Sequence, residues 1–281
     1  MNGIIVINKQ TAKTSRDIVN ELNKIFHTKK IGHTGTLDPI ATGVLVCCIG
    51  KYTKLVDQIT SYDKEYITEI KLGIKTDTLD ITGEIIKKNN FKITIDEINK
   101  VIKQFPKTYF QTVPKYSAIK IKGKKLYEYA RNNIPIELPK REVNIYNIEL
   151  LNFTNDIIKL KLKVSKGTYI RSFIEDFCSK LNTIGTMYSL ERIKQGNFSI
   201  LNSYTIDDIK NNNYHLLTIK DILDCEIINI NKSDHNYKLI KNGAKLLNLN
   251  FSKKYVLFLE NNQEIALYQK KEEFLKPVII F

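Results

Sequence analysis

Tryptophan is missing from the 281 residues, and arginine nearly so. Arg16, Arg131, Arg141, Arg171 and Arg192 are the only arginines among 44 basic residues, and lysine supplies the rest. Isoleucine, asparagine and lysine are abundant instead, the pattern that AT-rich codons impose. The formal net charge of +14 favours a polyanionic partner. Codon usage accounts for part of that charge, so it does not by itself assign nucleic-acid binding. Cysteine is scarce: Cys47, Cys48, Cys178 and Cys225 form no CxxC pair and no Cys/His cluster. That excludes a structural zinc site and a disulfide framework, and reduced thiols in a cytosolic protein are the simplest account. No apolar stretch approaches the ~18 residues of a membrane span. Met1-Asn2-Gly3-Ile4 lacks the basic-then-apolar plan of a signal peptide. No GxGxxG or GxxxxGK[ST] sequence is present, which disfavours a nucleotide-binding fold. What remains is a cytoplasmic globular chain, 42% hydrophobic and so able to fill a core, long enough for one large domain and a small second one.

Against these absences, residues 31–45 stand out: Ile31-Gly32-His33-Thr34-Gly35-Thr36-Leu37-Asp38-Pro39-Ile40-Ala41-Thr42-Gly43-Val44-Leu45. Three glycines bracket one carboxylate, and Pro39 keeps Asp38 out of the helical region. Gly43 leads into Val44-Leu45-Val46-Cys47-Cys48-Ile49, long enough for a buried strand. The reading is an acid held on a rigid loop at the edge of a sheet, where catalytic groups often sit. Taken alone, the segment is better accounted for as an Asx-turn carboxylate before proline.

Strand and helix periodicities alternate along the chain. Gly3–Asn8 reads as a strand. Thr14 or Ser15 caps a helix with Ile18, Val19, Leu22, Ile25 and Phe26 on one face. From Lys64 to Leu72, Tyr66, Thr68, Ile70 and Leu72 share one side of a strand. Thr94-Ile95-Asp96-Glu97 is a capping box before a helical stripe. Ile158, Leu160, Leu162 and Val164 alternate with lysines as a strand, and 170–181 switch to helical spacing. The mixture predicts an α+β fold with a mixed, mainly antiparallel sheet and flanking helices, not a doubly wound one. Past residue 225 the texture changes to short strands over Glu226–Ile230, Tyr255–Glu260, Glu264–Gln269 and Pro277–Phe281, with Lys241-Asn242-Gly243 ending a short helix.

The segment around Asp38 resembles the catalytic motif of the tRNA pseudouridine synthases that modify the T loop, the TruB type. Two further segments resemble the same family: Ser165-Lys166-Gly167-Thr168-Tyr169-Ile170-Arg171-Ser172, and Ser61-Tyr62-Asp63-Lys64-Glu65-Tyr66. The resemblance covers about residues 3–200 in ordered blocks. It implies that Asp38 is the catalytic aspartate and that Arg171 pairs with it. It also implies that Tyr169 packs against the target base, and that Tyr66 stacks on the uracil and takes part in removing the C5 proton. An arginine kept where lysine has displaced nearly all others suits a two-pronged carboxylate contact, and a neighbouring positive charge would keep Asp38 ionised. The resemblance places His33 in the RNA loop after the target base leaves, and Leu190 in the pocket lining. A run from Gln111 to Arg141, with basic residues interleaved with aromatics, resembles the insertion that clamps the T-stem-loop. Tyr116, Lys120, Lys124, Lys125, Tyr127, Arg131 and Arg141 are its expected RNA contacts, together with Lys9 outside it. Thr76–Gly83 also matches the family and reads as a structural turn.

The implied division is a catalytic domain over 1–224, with the insertion at about 111–141, and a small RNA-binding β-barrel of PUA type over 225–281. The implied activity is conversion of uridine 55 in the T loop of tRNA to pseudouridine. The reaction is an isomerisation, so neither cofactor nor metal is expected. The T-arm stem-loop is the expected partner, with no membrane and no obligate protein partner. Two alternatives stand beside it: a guide-RNA-dependent synthase acting on ribosomal RNA, and a catalytically silent tRNA-binding or tRNA-folding module. Two departures from the family pattern bear on RNA affinity. Asn8-Lys9-Gln10 stands where Asp-Lys-Pro is usual, and Glu191 occupies an expected basic position.

Overall fold

The computed structural model describes residues 1–247 and 251–281. A nine-stranded mixed sheet forms its centre. Its main path runs Gly3–Lys9, Thr42–Ile49, Gly185–Gln195, Lys64–Leu72, Ile157–Val164, Lys140–Thr154 and Thr108–Thr112. Neighbours along this path are antiparallel except where Thr42–Ile49 meets Gly185–Gln195 in parallel, Thr42 opposite Glu191 and Gly43 opposite Arg192. The mixed, mainly antiparallel sheet expected from the sequence is therefore present.

The sheet's two faces follow from alternation. In the first strand Ile5 and Ile7 face one side, Ile4 and Val6 the other. In Thr42–Ile49 both faces are covered, which explains its unbroken apolar run: Leu45, Cys47 and Ile49 join one core, Val44, Val46 and Cys48 the other. All four cysteines are buried free thiols. On one face lie the helices Ser15–Ile25, Ile95–Gln104 and Ile170–Lys180. The first two begin at capping boxes, Thr14 with Asp17 and Thr94 with Glu97, each side chain satisfying a backbone N–H that a helix start leaves unpaired.

Part of the opposite face packs against a second, five-stranded sheet ordered Cys225–Asn229, Tyr255–Glu260, Gln263–Lys270, Phe274–Ile280 and Leu246–Leu247. Leu257, Leu267 and Ile279 from it share one apolar cluster with Val6, Val44 and Val46. Between strands of the main sheet, residues 111–141 carry a two-stranded hairpin (Lys120–Ile121 with Lys124–Lys125) and the short helix Leu126–Arg131. Among the described residues, no helix is long and apolar enough to cross a membrane.

Candidate active site

Asp38 lies on the loop between the short strand Ile31–His33 and the strand Thr42–Ile49. That loop is fixed through its backbone from two sides. From the N-terminal side, Ser15 Oγ accepts from Leu37 N at 2.9 Å, and the Pro39 carbonyl accepts from Ala12 N at 3.0 Å and Lys9 Nζ at 3.3 Å. From the Gly185–Gln195 strand, Arg192 donates through Nε to the Val44 carbonyl at 2.7 Å and through Nη2 to the Gly35 carbonyl at 3.0 Å. Gln195 Nε2 donates to the Thr34 carbonyl at 3.1 Å. Arg192 and Gln195 are essentially fully buried.

Opposite the loop, the helix Ile170–Lys180 begins immediately after Tyr169 and aims Arg171 inward. The guanidinium meets Asp38 through two atoms: Nε lies 2.9 Å from Oδ2 and Nη2 donates to Oδ1 at 3.1 Å. Its remaining donors are also placed. Nη1 reaches the Thr78 carbonyl at 3.1 Å and Nη2 the Tyr116 carbonyl at 3.0 Å. A planar fork can satisfy these directions at once; an ammonium cannot. Four segments distant in sequence thus converge on one guanidinium: the Asp38 loop, the 76–83 turn, the insertion and the helix start. The Arg171 side chain is 6% exposed and that of Asp38 30%, so the carboxylate is the partner left open to a substrate.

Two opposed effects act on the Asp38 carboxyl. Burial lifts the Asp38 carboxyl above its ordinary range, with the buried Asp80 adding to the rise, and Arg171 opposes both without reversing them. Arg171 therefore aims the carboxylate and limits a desolvation cost.

Tyr66 and Leu190 face inward on neighbouring strands and belong with Leu37 to the same apolar cluster. Tyr169 is half-buried under the Arg141 guanidinium, 5.9 Å from the ring centre; burial raises its phenol, and Arg141 opposes the rise. His33 is half-buried, and its Nδ1 accepts from Gly35 N at 3.4 Å. Burial together with Arg16 and Arg192 holds its pKa below the usual value, which favours the neutral imidazole.

On the insertion, Lys120, Lys124 and Arg131 are exposed. The Arg131 guanidinium and the Lys125 ammonium each lie 5.3 Å from the Tyr127 ring centre. The Tyr116 hydroxyl donates to Asp77 Oδ2 at 3.3 Å.

Lys9 departs from its expected place on an RNA-facing surface. It is fully buried, with Nζ donating to the carbonyls of Gln10 at 3.0 Å, Lys13 at 2.6 Å and Pro39 at 3.3 Å. Burial draws its ammonium down to about 8, Asp38 opposing. Its position braces the loop that carries Asp38.

The bracing residues Ser15, Arg192 and Gln195 were not singled out from sequence. One signal pointed to Arg192: it is a rare arginine, and it falls in phase with inward-facing Leu190. The others carry no local signature.

Residues 23–170 match the family described as TruB family pseudouridylate synthase (N terminal domain). The tRNA pseudouridine synthase B of Clostridium tetani is 42% identical over 99% of both chains. This chain belongs to the TruB family. Another relative, the tRNA pseudouridine synthase B of Caldicellulosiruptor saccharolyticus, is 43% identical over 88% of this chain and 84% of its own. Among solved structures, a chain from a Cbf5-Nop10-Gar1 complex superposes with a TM-score of 0.69 at 21% identity, covering 99% of this TruB-family chain and 84% of that one. At that identity the likeness concerns the fold.

Proposed function

We propose that this TruB-family protein isomerises uridine 55 in the T loop of tRNA to pseudouridine. The observation that carries the site assignment is the two-atom Asp38–Arg171 contact at the meeting point of four segments. In the reaction the bond from C1′ to N1 of uracil breaks, the base turns, C5 bonds to C1′ and then loses its proton, in which Tyr66 takes part, and N1 gains a proton. Nothing is oxidised and no group is donated, so the chain's own side chains suffice.

The target base must first leave the stack. His33, favoured in its neutral form and next to the glycine-rich loop, is the side chain to occupy the gap. The base then lies against Tyr66 and Tyr169; stacking on an aromatic ring contributes ~1–3 kcal/mol. Asp38 acts on the sugar, either by attack on C1′ or by taking the 2′ proton. Both routes need its ionised form, which Arg171 favours inside a pocket that disfavours charge. Arg141, Lys120, Lys124, Lys125, Tyr127 and Arg131 present charge and rings to the T-stem. Tyr116 contributes its ring edge beside the carbonyl that holds Arg171.

Within this reading, residues 1–224 form the catalytic domain and 225–281 a PUA-like RNA-binding unit. The enzyme works in the cytoplasm without guide RNA or protein partner. The full-length relatives named as tRNA synthases support a tRNA substrate.

The test is tritium release from a T-stem-loop RNA labelled at C5 of uridine. Wild type alone should release label, and Asp38→Asn should release none while retaining RNA affinity. Normal turnover by Asp38→Asn would overturn the assignment.

A further inference from the structure

The strand Thr108–Thr112 lies at the sheet edge where the insertion begins. Its side chains alternate. Phe110 is 65% exposed, while Gln111 is 1% exposed. An amide buried that completely needs partners, because an unpaired buried polar group costs as much as a lost hydrogen bond.

Gln111 finds them on one residue of the active site. Its Oε1 accepts from Tyr169 N at 2.8 Å, and its Nε2 donates to the Tyr169 carbonyl at 3.1 Å. The amide thus closes on both sides of Tyr169, the N-cap of the helix that carries Arg171. That helix has no side-chain cap of its own; Gln111 instead holds the backbone N–H and carbonyl of its N-cap residue. Nε2 also donates to the Tyr109 hydroxyl at 3.0 Å, and burial together with the nearby Asp176 carboxylate on the same helix pushes that phenol up. The two inward-facing residues of one strand therefore both face this helix, Gln111 holding its start. A second strut runs in parallel, the Tyr116 carbonyl on Arg171 Nη2. Both struts come from the segment that opens the insertion.

We infer that Gln111 is a positioning residue that fixes Tyr169 and Arg171 in register with Asp38, and so ties the insertion mechanically to the catalytic pair. The inference rests on the site reading given above. Gln111 touches neither Asp38 nor the space for a base; it acts through the backbone of Tyr169. A misplacement of about 1 Å at a reacting group can cost on the order of 10²-fold in rate. Losing both ends of the clamp should therefore appear in turnover more than in RNA capture.

The test compares full-length wild type, Asp38→Asn, Gln111→Met and Phe110→Ala on the C5-tritiated T-stem-loop RNA, with RNA affinity and thermal unfolding measured alongside. Methionine keeps the length and volume of glutamine and removes all three hydrogen bonds. The expected result for Gln111→Met is kcat lower by about 10- to 100-fold, RNA affinity within about threefold and a folded protein at assay temperature, with Phe110→Ala near wild-type kcat. Gln111→Glu keeps the acceptor for Tyr169 N, and burial favours its neutral form, whose hydroxyl can still donate to the Tyr169 carbonyl, so it should fall between the two. Wild-type kcat in Gln111→Met would overturn the inference, as would a loss confined to RNA affinity. If Gln111→Met does not fold, the Gln111→Glu kcat decides. Equal activity of wild type and Asp38→Asn would instead sink the site reading, an outcome distinguishable from the first.

Discussion

At the scale of single residues the active site is a contest between burial and one arginine. Burial wins at Asp38, and its carboxyl sits above the ordinary aspartate range. The sign of the consequence follows directly. As pH falls, Asp38 takes up its proton earlier than a free aspartate does, so kcat should decline along an acid limb displaced upward from the ordinary carboxylate value. Arg171 acts against that displacement. Arg171→Gln removes the opposing charge, so the limb should move further up in pH, and kcat at pH 7 should fall on the order of 10²-fold. A kcat–pH profile of both proteins at saturating RNA measures this. A limb that stays in place without the arginine would mean that the pair sets geometry alone. Arg171 was legible through the family resemblance of its segment, and the scarcity of arginine in the chain pointed the same way. The same argument extends to Arg192, whose guanidinium serves the backbone of the Asp38 loop and not its carboxylate.

At the scale of elements, the site depends on one unusual junction, the parallel contact between Thr42–Ile49 and Gly185–Gln195. Gly43 makes it possible. Its φ is +96°, and a Cβ there would stand 2.3 Å from the Arg192 carbonyl oxygen. Gly123 on the insertion hairpin has a similar φ of +82° but open space around it. Gly123→Ala should therefore cost about 1 kcal/mol of backbone strain, and Gly43→Ala about 3 kcal/mol, since strain and a backbone clash add there. Urea unfolding of the two variants checks the order; equal losses would show that the junction yields. The contrast also marks what the sequence discloses. Alternation in Lys64–Leu72 and Ile157–Val164, the capping boxes at Thr14 and Thr94 and the helical spacing after Tyr169 are local, and each element stands where its pattern put it. Alternation states that a residue faces inward, but not what it meets. Gly43 and Arg192 are 149 positions apart, and Lys9 reads as a surface lysine until the Lys13 and Pro39 carbonyls are seen around it. Resemblance to a family supplied Tyr66 and Leu190, which periodicity alone gives as core residues.

At the scale of the whole molecule, the question is whether the two sheets behave as separate bodies. Strand rhythm after residue 225 was legible, and the described strands fall close to those expected. Their packing was not, because nothing in a short apolar strand specifies which surface covers it. Tyr52 shows how closely they are joined. It is buried on the main-sheet side, and its hydroxyl donates to Glu264 Oε2 on the second sheet at 2.6 Å. It also accepts from Ile219 N at 3.0 Å, while Glu264 Oε1 takes the same N–H at 3.2 Å. Burial and the Glu264 carboxylate push the phenol well above its ordinary range, which favours the protonated, donating form. The ring packs on Phe281 at 5.6 Å within a cluster that both sheets supply. Tyr52→Phe takes the hydroxyl donor from the Glu264 carboxylate, leaving it the longer bond from Ile219 N, and should cost about 1.5–3 kcal/mol. Because the cluster is shared, both sheets should lose that stability together, and calorimetry should show one transition in wild type and in the variant, displaced to lower temperature. Two transitions, with Tyr52→Phe moving only one, would show that residues 225–281 unfold by themselves and that the shared core does not couple the two sheets.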